Sequence, residues 1–538
     1  MLRGELQHHS PGCYTTHSGI KRWNRRAENL LLRAEKWCVV ADSLGLRPYP
    51  LAELTRAWKL VLFNQFHDTL AGTSIAPAYE DARDQLGHAS SIATSAFNAA
   101  AQSIARQIAI EPEAEESRPV VVFNPHPWTL RTDVELEYTW TREQGHHVID
   151  DEGEPVPMQT TRPLTTMSGM RSRFVFPVEV PPLGYRTYRV RLGELVCQEH
   201  KLSASGTTLE NEHVLLELDP VTGRIARLVH KASGADLAAP RAEHAVVVDD
   251  PSDTWGHGIK AYDDEVGAFE CTGVRLLESG PARAILRAES RYGSSTLRED
   301  YVLSADAGHV DVRVTLDWHE RLKLLKLRYP TSVETDTATF ETPYGHLERL
   351  TGGDEEPGQS WVDVSGGGRG LTVINDSKYG YDVRGGNIGI SAVRSPVWAW
   401  HEPRELEEGG DFEYMDLGRQ TLLVRLVPHA GDWREAGVVR LAAELNQPPF
   451  ALIETFHAGP LPLQRSFADD GGGDVVLTVV KGGEEGGIAV RAYESAGRPA
   501  RATVDVLGTK VEAEFGPHEI KTFVLRDGSA VETDLLEW

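Results

Sequence analysis

EPEAEESRPVVVF, residues 111–123, is the stretch at which the character of the sequence changes. Its first nine residues include four glutamates and two prolines, which is typical of a linker between domains. Before it, apolar residues recur with helical spacing, and after it short β-branched and aromatic runs alternate with turn residues. The sequence therefore predicts an α+β multidomain protein, mainly β overall, in which an N-terminal three-helix bundle precedes antiparallel β-sandwich domains.

The segment before the linker predicts three long helices. From Ile20 to Ala41 an apolar residue recurs every three or four positions, and Gly45 ends this stripe. A second helix is expected from Leu51 towards Phe66, with a stop near residues 71–72. Short connections between long amphipathic helices are typical of an antiparallel bundle.

The third helix has a recognisable start. Thr73 or Ser74 is expected to cap it, with Pro77 in its first turn, and an Ala/Ser-rich run continues to about Ile110. Together, the three helices define a first predicted domain over residues 1–112.

Beyond the linker, strand follows strand without an intervening helical period. We predict a small β-sandwich over 113–200, a large β-sandwich over 201–455 and a small C-terminal β domain over 456–538. The triple glycines at 366–368 and 471–473 are interpreted as loops, because no helix pattern follows either of them. The clearest strand runs are 120–123, 134–140, 174–180, 185–190, 214–218, 225–229, 310–316, 371–374, 422–427 and 475–480.

Composition excludes several classes of partner. A chain of 538 residues is long enough for several domains, and its formal net charge of −25 argues against nucleic acid or an anionic membrane as the main partner. The sequence has no run of about 18 apolar residues and no secretory signal, so we expect no membrane span and a cytoplasmic location. The cysteines, which are expected to be free thiols because they are few and far apart, are Cys13, Cys38, Cys197 and Cys271.

The segment NQFHDTLAGTS, residues 64–74, carries the most chemistry. It puts His67 and Asp68 side by side at a predicted helix end. A neutral imidazole nitrogen suits a borderline metal ion, and a carboxylate suits both metals and sugar hydroxyls. The same pair is also typical of a capping or salt-linked surface pair, and spacing alone does not separate these interpretations.

This segment closely resembles the NQFHD-x-x-x-G-[ST]-S motif of glycoside hydrolase family 38 α-mannosidases. Further similarities follow in the same order along the chain from about residue 4 to residue 433. They are GCYTT at 12–16, VFNP at 122–125, LENE at 209–212, DPVTGRI at 219–225, DTWGHG at 253–258, WVD at 361–363, NDSKYG at 375–380, RSP at 394–396 and PHAGDW at 428–433.

The resemblance implies a retaining exo-α-mannosidase with an N-terminal α/β barrel, a three-helix bundle and several β-sandwiches. It implies one divalent metal, usually zinc, that binds the terminal sugar and is held by a His-x-Asp pair and the nucleophilic aspartate of the barrel. The bundle histidine that completes these ligands falls on His67, and the aspartate that contacts the sugar falls on Asp68. The implied substrate is a mannose-containing oligosaccharide.

The stretch GCYTT at 12–16, which resembles the family's entry into the helical bundle, begins only a few residues after Met1, so we expect the barrel to be absent, with its nucleophile and acid/base. A retaining glycosidase needs two carboxylates about 5–5.5 Å apart, and one His-Asp pair cannot supply them. No catalytic residue is therefore assigned, and the chain alone is expected to be inactive. The alternatives are a non-catalytic carbohydrate-binding or assembly protein, or one chain of a two-chain mannosidase whose partner is a separate barrel; a homo-oligomer is also open.

None of the other polar residues is a convincing substitute for the groups of the barrel. His8-His9 lacks the His-x-Asp spacing, and His17 is interpreted as a surface histidine that could instead face the site. Asp253 and His257 are interpreted as turn and loop-anchoring residues, with a role at the site rim as the alternative. For Lys378 and Tyr379 a hydrogen-bonded β-turn is the simpler interpretation, again with the rim as the alternative. Finally, if the barrel is absent, the surface around His67 and the stretch 12–16 is expected to expose apolar side chains.

Overall fold

A computed structural model describes residues 10–113, 117–139, 145–164, 171–193, 201–239 and 242–538. His8-His9 and Cys197 lie outside these residues. The described residues form a helical N-terminal region followed by antiparallel sheets, which confirms the predicted fold class. Within them, no helix combines the length and apolarity that spanning a lipid bilayer requires.

The three predicted bundle helices are present, together with two single-turn helices that the periodicity did not predict. The helices of the N-terminal region are α1 (Gly12–Thr15), α2 (Ser18–Ser43), α3 (Leu51–Asn64), α4 (His67–Leu70) and α5 (Ala76–Ala105). Helix α2 buries the predicted stripe, from Ile20 to Ala41, and Gly45 follows its end with φ +69°. A small-residue face of α5, which includes Ala82, Ala89 and Ala93, is also buried and permits close packing of the helices.

Two details of the helix prediction are wrong. Neither Thr73 nor Ser74 caps α5, because the N-cap position is Ile75 and it makes no side-chain cap bond. The backbone N–H of Ser74 instead donates to the Tyr79 hydroxyl at 3.1 Å. Helix α5 also ends at Ala105 rather than near 110, because Ile108 and Ile110 form isolated β-bridges to Leu461 and His457.

Two small sheets pack into the first sandwich. Their apolar residues, among them Val120, Val122, Phe174 and Tyr188, form one buried cluster. The strand order is β28-β1-β7-β3-β4, with a further strand paired to β7, in one sheet and β2-β6-β5 in the other. The strands from this part of the chain are β1 (Arg118–Phe123), β2 (Leu130–Thr139), β3 (His146–Ile149), β4 (Pro155–Val156), β5 (Gln159–Thr161), β6 (Arg171–Val180) and β7 (Gly184–Leu192), and the late strand β28 is Phe450–Ile453.

The large sandwich contains a five-, a six- and a nine-stranded sheet around a second core. The strands are β8 (Ser203–Ala204), β9 (Thr208–Glu210), β10 (Val214–Leu218), β11 (Ile225–His230), β12 (Ala235–Asp236), β13 (Ala245–Asp249), β14 (Glu265–Ala268), β15 (Glu270–Ser279), β16 (Arg283–Tyr292), β17 (Ser295–Ser304), β18 (Val310–Trp318), β19 (Lys323–Tyr329), β20 (Thr337–Thr342), β21 (Gly345–Leu350), β22 (Gly352–Pro357), β23 (Trp361–Gly366), β24 (Arg369–Asn375), β25 (Gly380–Arg384), β26 (Asn387–Arg394) and β27 (Gly418–Ala430). Helix α6 (Val438–Asn446) packs beside β24 and β27.

The C-terminal strands form two further sheets, of orders β30-β33-β34 and β31-β32-β35-β36, and their core is continuous with that of the bundle. The strands are β29 (Gln464–Ser466), β30 (Ala468–Asp469), β31 (Val475–Gly482), β32 (Ile488–Glu494), β33 (Ala500–Val506), β34 (Thr509–Phe515), β35 (Ile520–Arg526) and β36 (Ser529–Thr533). Strands β28 and β29 pair with β1 and β7 of the first sandwich. Residue 455, the predicted boundary, therefore lies within a segment that returns to the first sandwich.

Candidate functional site

His67 and Asp68 form the N-terminal turn of α4, where the chain leaves the bundle. Helix α3 ends at Asn64, and Phe66 takes an extended conformation (φ −53°, ψ 140°) that separates the two helices. The side chains of His67 and Asp68 are 71% and 47% exposed, and the His67 Nε2 atom lies 3.3 Å from Asp68 Oδ2. The pair is therefore open to a ligand and lies outside the apolar core.

The backbone beneath this pair is held by buried side chains. Lys21 donates from Nζ to three carbonyl oxygens, those of Thr16 (2.5 Å), Leu70 (2.9 Å) and Ala71 (3.0 Å). Burial lowers the pKa of Lys21 to about 7. These bonds fasten the C-terminal end of α4 to α2, which carries Lys21, and to Thr16 at the end of α1.

Two further contacts fix the same turn. The Tyr79 hydroxyl lies 3.3 Å from the carbonyl oxygen of Asp68 and 3.1 Å from that of Thr69. Gly72 has φ +91°, and a Cβ at this position would lie 2.1 Å from the Thr16 carbonyl oxygen. Only glycine permits such a close approach of two backbones. Backbone packing therefore explains why the 64–74 motif has glycine at position 72.

His67 lies at the edge of a cleft of about 530 Å³ between the bundle and the large sandwich. On the bundle side, Gln65 Nε2 donates to Asn24 Oδ1 at 3.0 Å and to Glu28 Oε1 at 2.7 Å. Burial raises the pKa of Glu28 above its ordinary value. The residues lining the cleft are Cys13, Tyr14, Lys21, Asn24, Glu28, Gln65, His67, Leu70, Ala71, Glu341, Thr342, Pro343, Pro357, Gly358, Gln359 and Tyr379.

The turn after β24 supplies part of the sandwich side. Asn375 Oδ1 accepts from the backbone N–H groups of Ser377 and Lys378, so the predicted hydrogen-bonded turn is present. Lys378 is buried and does not line the cleft, because its Nζ atom donates to Ser18 Oγ at 3.0 Å. Tyr379 does line the cleft, and its hydroxyl accepts from Arg25 Nε at 2.9 Å.

Several apolar side chains close to His67 in the sequence are exposed. The exposed fractions are 59% for Leu62, 70% for Phe63, 56% for Phe66 and 57% for Ile75. The Phe66 ring lies 4.2 Å from the His67 ring. The expectation of an exposed apolar surface therefore holds around His67. It fails for residues 12–16, which are buried or half-buried.

The other sequence candidates lie elsewhere. His17 is buried, so its interpretation as a surface histidine is wrong: its Nδ1 accepts from the Ile20 N–H at 3.1 Å, and its ring stacks on Tyr79 at 3.9 Å. Asp253 anchors its loop as predicted, because its Oδ1 accepts from the N–H groups of Gly256 and His257.

Two groups of side chains could take part in holding a metal. His67 and Asp68 together offer one ring nitrogen and a carboxylate, which suits zinc but is an incomplete set of ligands. Within the described ranges, one group brings three ligating side chains together, namely Asp253, His257 and His401. His401 is not predicted from the sequence, because it lies almost 150 residues from its partners and no motif marks it.

Comparisons with known proteins agree with this architecture. Residues 8–104 match the alpha mannosidase middle domain, and residues 209–402 match the glycosyl hydrolases family 38 C-terminal domain. Alpha-mannosidase 2C1 of Homo sapiens is 30% identical over 465 residues, which cover 82% of this chain and 40% of the human protein. Alpha-mannosidase G of Dictyostelium discoideum is 24% identical over 543 residues, or 90% of this chain and 47% of that protein. The chain thus spans less than half the length of these relatives.

A solved structure shows the same fold. The crystal structure of an alpha-mannosidase from Enterococcus faecalis V583 superposes with a TM-score of 0.80 at 16% identity, covering 96% of this chain and 68% of that one. In this chain the match to the middle domain falls on the helical region, and the match to the C-terminal domain falls on the large sandwich. This chain therefore belongs to glycosyl hydrolase family 38 and contains the middle domain and the C-terminal domain of that family.

Proposed function

We propose that this chain is the part of an α-mannosidase that provides His67 as one ligand of a divalent metal and Asp68 as a contact to a terminal α-mannose. The observation that carries the proposal is the position of the pair: both side chains are exposed, His67 Nε2 lies 3.3 Å from Asp68 Oδ2, and His67 lines the cleft between bundle and sandwich. The names of the relatives support an α-linked mannoside as the substrate.

The proposed division of labour follows from the groups available. His67 would hold the metal through a ring nitrogen, and Asp68 would accept hydrogen bonds from sugar hydroxyls. A divalent metal, when bound, supplies Lewis-acid polarisation and orientation of the sugar oxygens. Lys21, Tyr79 and Gly72 keep the turn that carries the pair rigid, which limits the reorganisation that binding requires.

The two carboxylates of a retaining mechanism are proposed to come from the barrel that the family resemblance implies. That barrel could belong to the same polypeptide or to a separate chain. Four apolar side chains near His67 in the sequence are exposed, which favours coverage by another folded unit, since large apolar patches are uncommon on soluble monomers; they are Leu62, Phe63, Phe66 and Ile75. The cytoplasmic location and zinc as the metal remain predictions.

An activity assay tests the proposal directly. The purified chain with Zn²⁺ should not turn over 4-nitrophenyl α-D-mannopyranoside, whereas co-expression with a family 38 barrel should produce turnover. In that complex, His67→Ala should lower kcat/KM by more than about 100-fold, because a metal ligand is lost. His88→Ala, at an exposed histidine of α5, is the matched control and should leave turnover unchanged.

The assay also identifies the outcomes that contradict the proposal. Turnover by the chain alone that Asp68→Asn abolishes would overturn the assignment of the catalytic carboxylates to a barrel. Full activity of the His67→Ala complex would overturn the metal role. Binding of mannose oligosaccharides by the chain alone, unaffected by either substitution, would favour the alternative of a non-catalytic carbohydrate-binding protein.

A further inference from the structure

Two histidines from different loops converge on one buried carboxylate oxygen. Asp253 Oδ2 lies 2.7 Å from His257 Nδ1 and 3.3 Å from His401 Nδ1, and it also accepts from the Glu402 N–H at 3.1 Å. The Asp253 side chain is fully buried, while those of His257 and His401 are 38% and 57% exposed. The convergence point is therefore anchored from inside and reachable from solvent.

Hydrogen bonds to Asp253 cannot satisfy both histidines at the same time. A carboxylate oxygen offers about two lone-pair sites, and the Glu402 N–H takes one of those on Asp253 Oδ2. The two Nδ1 atoms then compete, as donors, for the remaining site. A cation in the same place would instead be met by both Nδ1 lone pairs and by the carboxylate charge, so that all three groups would contribute.

The surroundings match those of a supported metal site. Asp253 Oδ1 accepts from the N–H groups of Gly256 and His257, which fixes the orientation of the carboxylate. The rings of His257 and His401 are stacked, with centroids 5.0 Å apart, and Trp255 packs within about 6 Å of both rings. The site is thus closed on the side of the buried Asp253 carboxylate and open to water on the side of the two histidines.

We propose that Asp253, His257 and His401 form a second divalent-metal site, separate from His67, that takes a borderline transition metal such as Zn²⁺. Two imidazoles and one carboxylate are a common set of protein ligands for zinc, and water can complete the coordination on the exposed side. The inference rests on these three side chains and stands independently of the mannosidase proposal.

Such a site would fasten the loop between β26 and β27 to the loop after β13. The first of these loops also carries Trp398, whose ring lies 5.3 Å from His17 and 5.6 Å from Tyr79. Since the Tyr79 hydroxyl contacts the Asp68 carbonyl, the metal would stabilise the packing beneath the candidate sugar site. Its role is structural support, because none of its ligands lines the cleft.

The full chain is first treated with a chelator to remove metal. Titration of this protein with Zn²⁺, with the heat of binding measured by calorimetry, tests the site. His257→Ala and His401→Ala should each weaken the binding of one Zn²⁺ equivalent by at least about tenfold, because each removes a ligand. His319→Ala is the matched control: this half-exposed histidine lies 3.1 Å from Asp317 and, among the residues that the structure describes, belongs to no group of three ligating side chains. The affinity of the His319→Ala variant for Zn²⁺ should equal that of the wild type.

The same titration in a His67→Ala background separates the two sites. Retention of the Zn²⁺ equivalent there, with its loss in His401→Ala, supports the inference even if the mannosidase proposal fails. Co²⁺ provides a second readout, since its visible absorption should report nitrogen ligation in the wild type and disappear in His401→Ala. Equal affinity in the wild type and in both histidine variants, or absence of binding to the wild type, overturns the inference.

Discussion

Two places on the side of the bundle that faces the large sandwich differ in almost every physical respect. At the first, Arg394 is fully buried and donates to both carboxylate oxygens of Asp250 and to the hydroxyls of Ser252 and Thr16. At the second, His67 and Asp68 are exposed and contact chiefly each other. The first contact has its polar groups satisfied, whereas the second leaves polar groups available.

The difference indicates which contact holds the domains together and which is free to bind. A buried charge that loses its partner is strongly destabilising, so residues around Arg394 are constrained by folding. Exposed groups such as His67 add little to stability. Residues of the first contact should therefore affect stability, and residues of the second should affect binding while leaving the fold intact.

The largest effect is expected at the buried contact. Arg394→Met should lower the free energy of unfolding by about 3–5 kcal/mol, because it leaves the Asp250 carboxylate buried without its cation. Urea denaturation followed by tryptophan fluorescence measures this. Arg83→Met, at an exposed arginine of α5, is the control and should change stability by less than about 0.5 kcal/mol. Equal effects of the two substitutions would remove the proposed difference between the contacts.

The next effect concerns the turn that links the two contacts. Gly72→Ala should cost about 3 kcal/mol, because a Cβ would lie 2.1 Å from the Thr16 carbonyl oxygen in addition to the strain of a positive φ. Gly45→Ala isolates the strain, since φ is also positive there but no atom lies within 4 Å, and about 1 kcal/mol is expected. If both variants lose the same stability, the close approach contributes nothing.

Some features of the molecule could be predicted from the sequence and others could not. Helical period and strand alternation yielded the bundle and the sandwiches, because burial of one face repeats along the chain. The 64–74 motif identified His67 and Asp68, which the structure indeed exposes together. The details that were wrong depend on partners close in space: His17 is buried because its ring accepts from Ile20 and stacks on Tyr79.

Long-range convergence could not be predicted at all. His401 reaches Asp253 only because the loops after β26 and β13 meet in the fold, and no spacing rule connects residues so far apart. The pairing of β28 with β1, more than 300 residues earlier in the chain, is another contact that no local pattern predicts. Single-sequence periodicity records which face of an element is buried, but it does not record what buries it.

Glu35 is a buried carboxyl that accepts a hydrogen bond from a neutral side chain. Its expected effect on stability is smaller than that of the buried Arg394 contact and larger than that of an exposed residue. Glu35 accepts from Trp58 Nε1 at 2.8 Å, and burial raises its pKa from 4.5 to about 7. Because the folded state favours the protonated form, the contribution of Glu35 to stability is complete below about pH 4.5 and is lost as pH rises to about 7. Glu35→Gln keeps an acceptor for Trp58 and removes this loss.

Relative to the wild type, Glu35→Gln should therefore gain about 1–3 kcal/mol of stability between pH 4.5 and pH 7.5. Urea denaturation at both pH values measures the change. Glu80→Gln, on the exposed face of α5, is the control and should stay within about 0.5 kcal/mol of the wild type at each pH. A stability difference for Glu35→Gln that is constant across this range would contradict the expected protonation of Glu35.

The smallest effect on folding is expected for the exposed phenylalanines near His67. Replacing both Phe63 and Phe66 with serine should change the free energy of unfolding by less than about 0.5 kcal/mol per site, because these rings are 70% and 56% exposed and bury little area on folding.

The same double variant should reduce self-association in sedimentation velocity, since it removes apolar side chains that we expect another folded unit to cover. Val221→Ser, at a 78% exposed valine in a turn of the large sandwich, is the matched control and should leave self-association unchanged. Loss of stability in the double variant would mean that the phenylalanines support the bundle itself, and the contrast between a structural contact and a binding surface would then disappear.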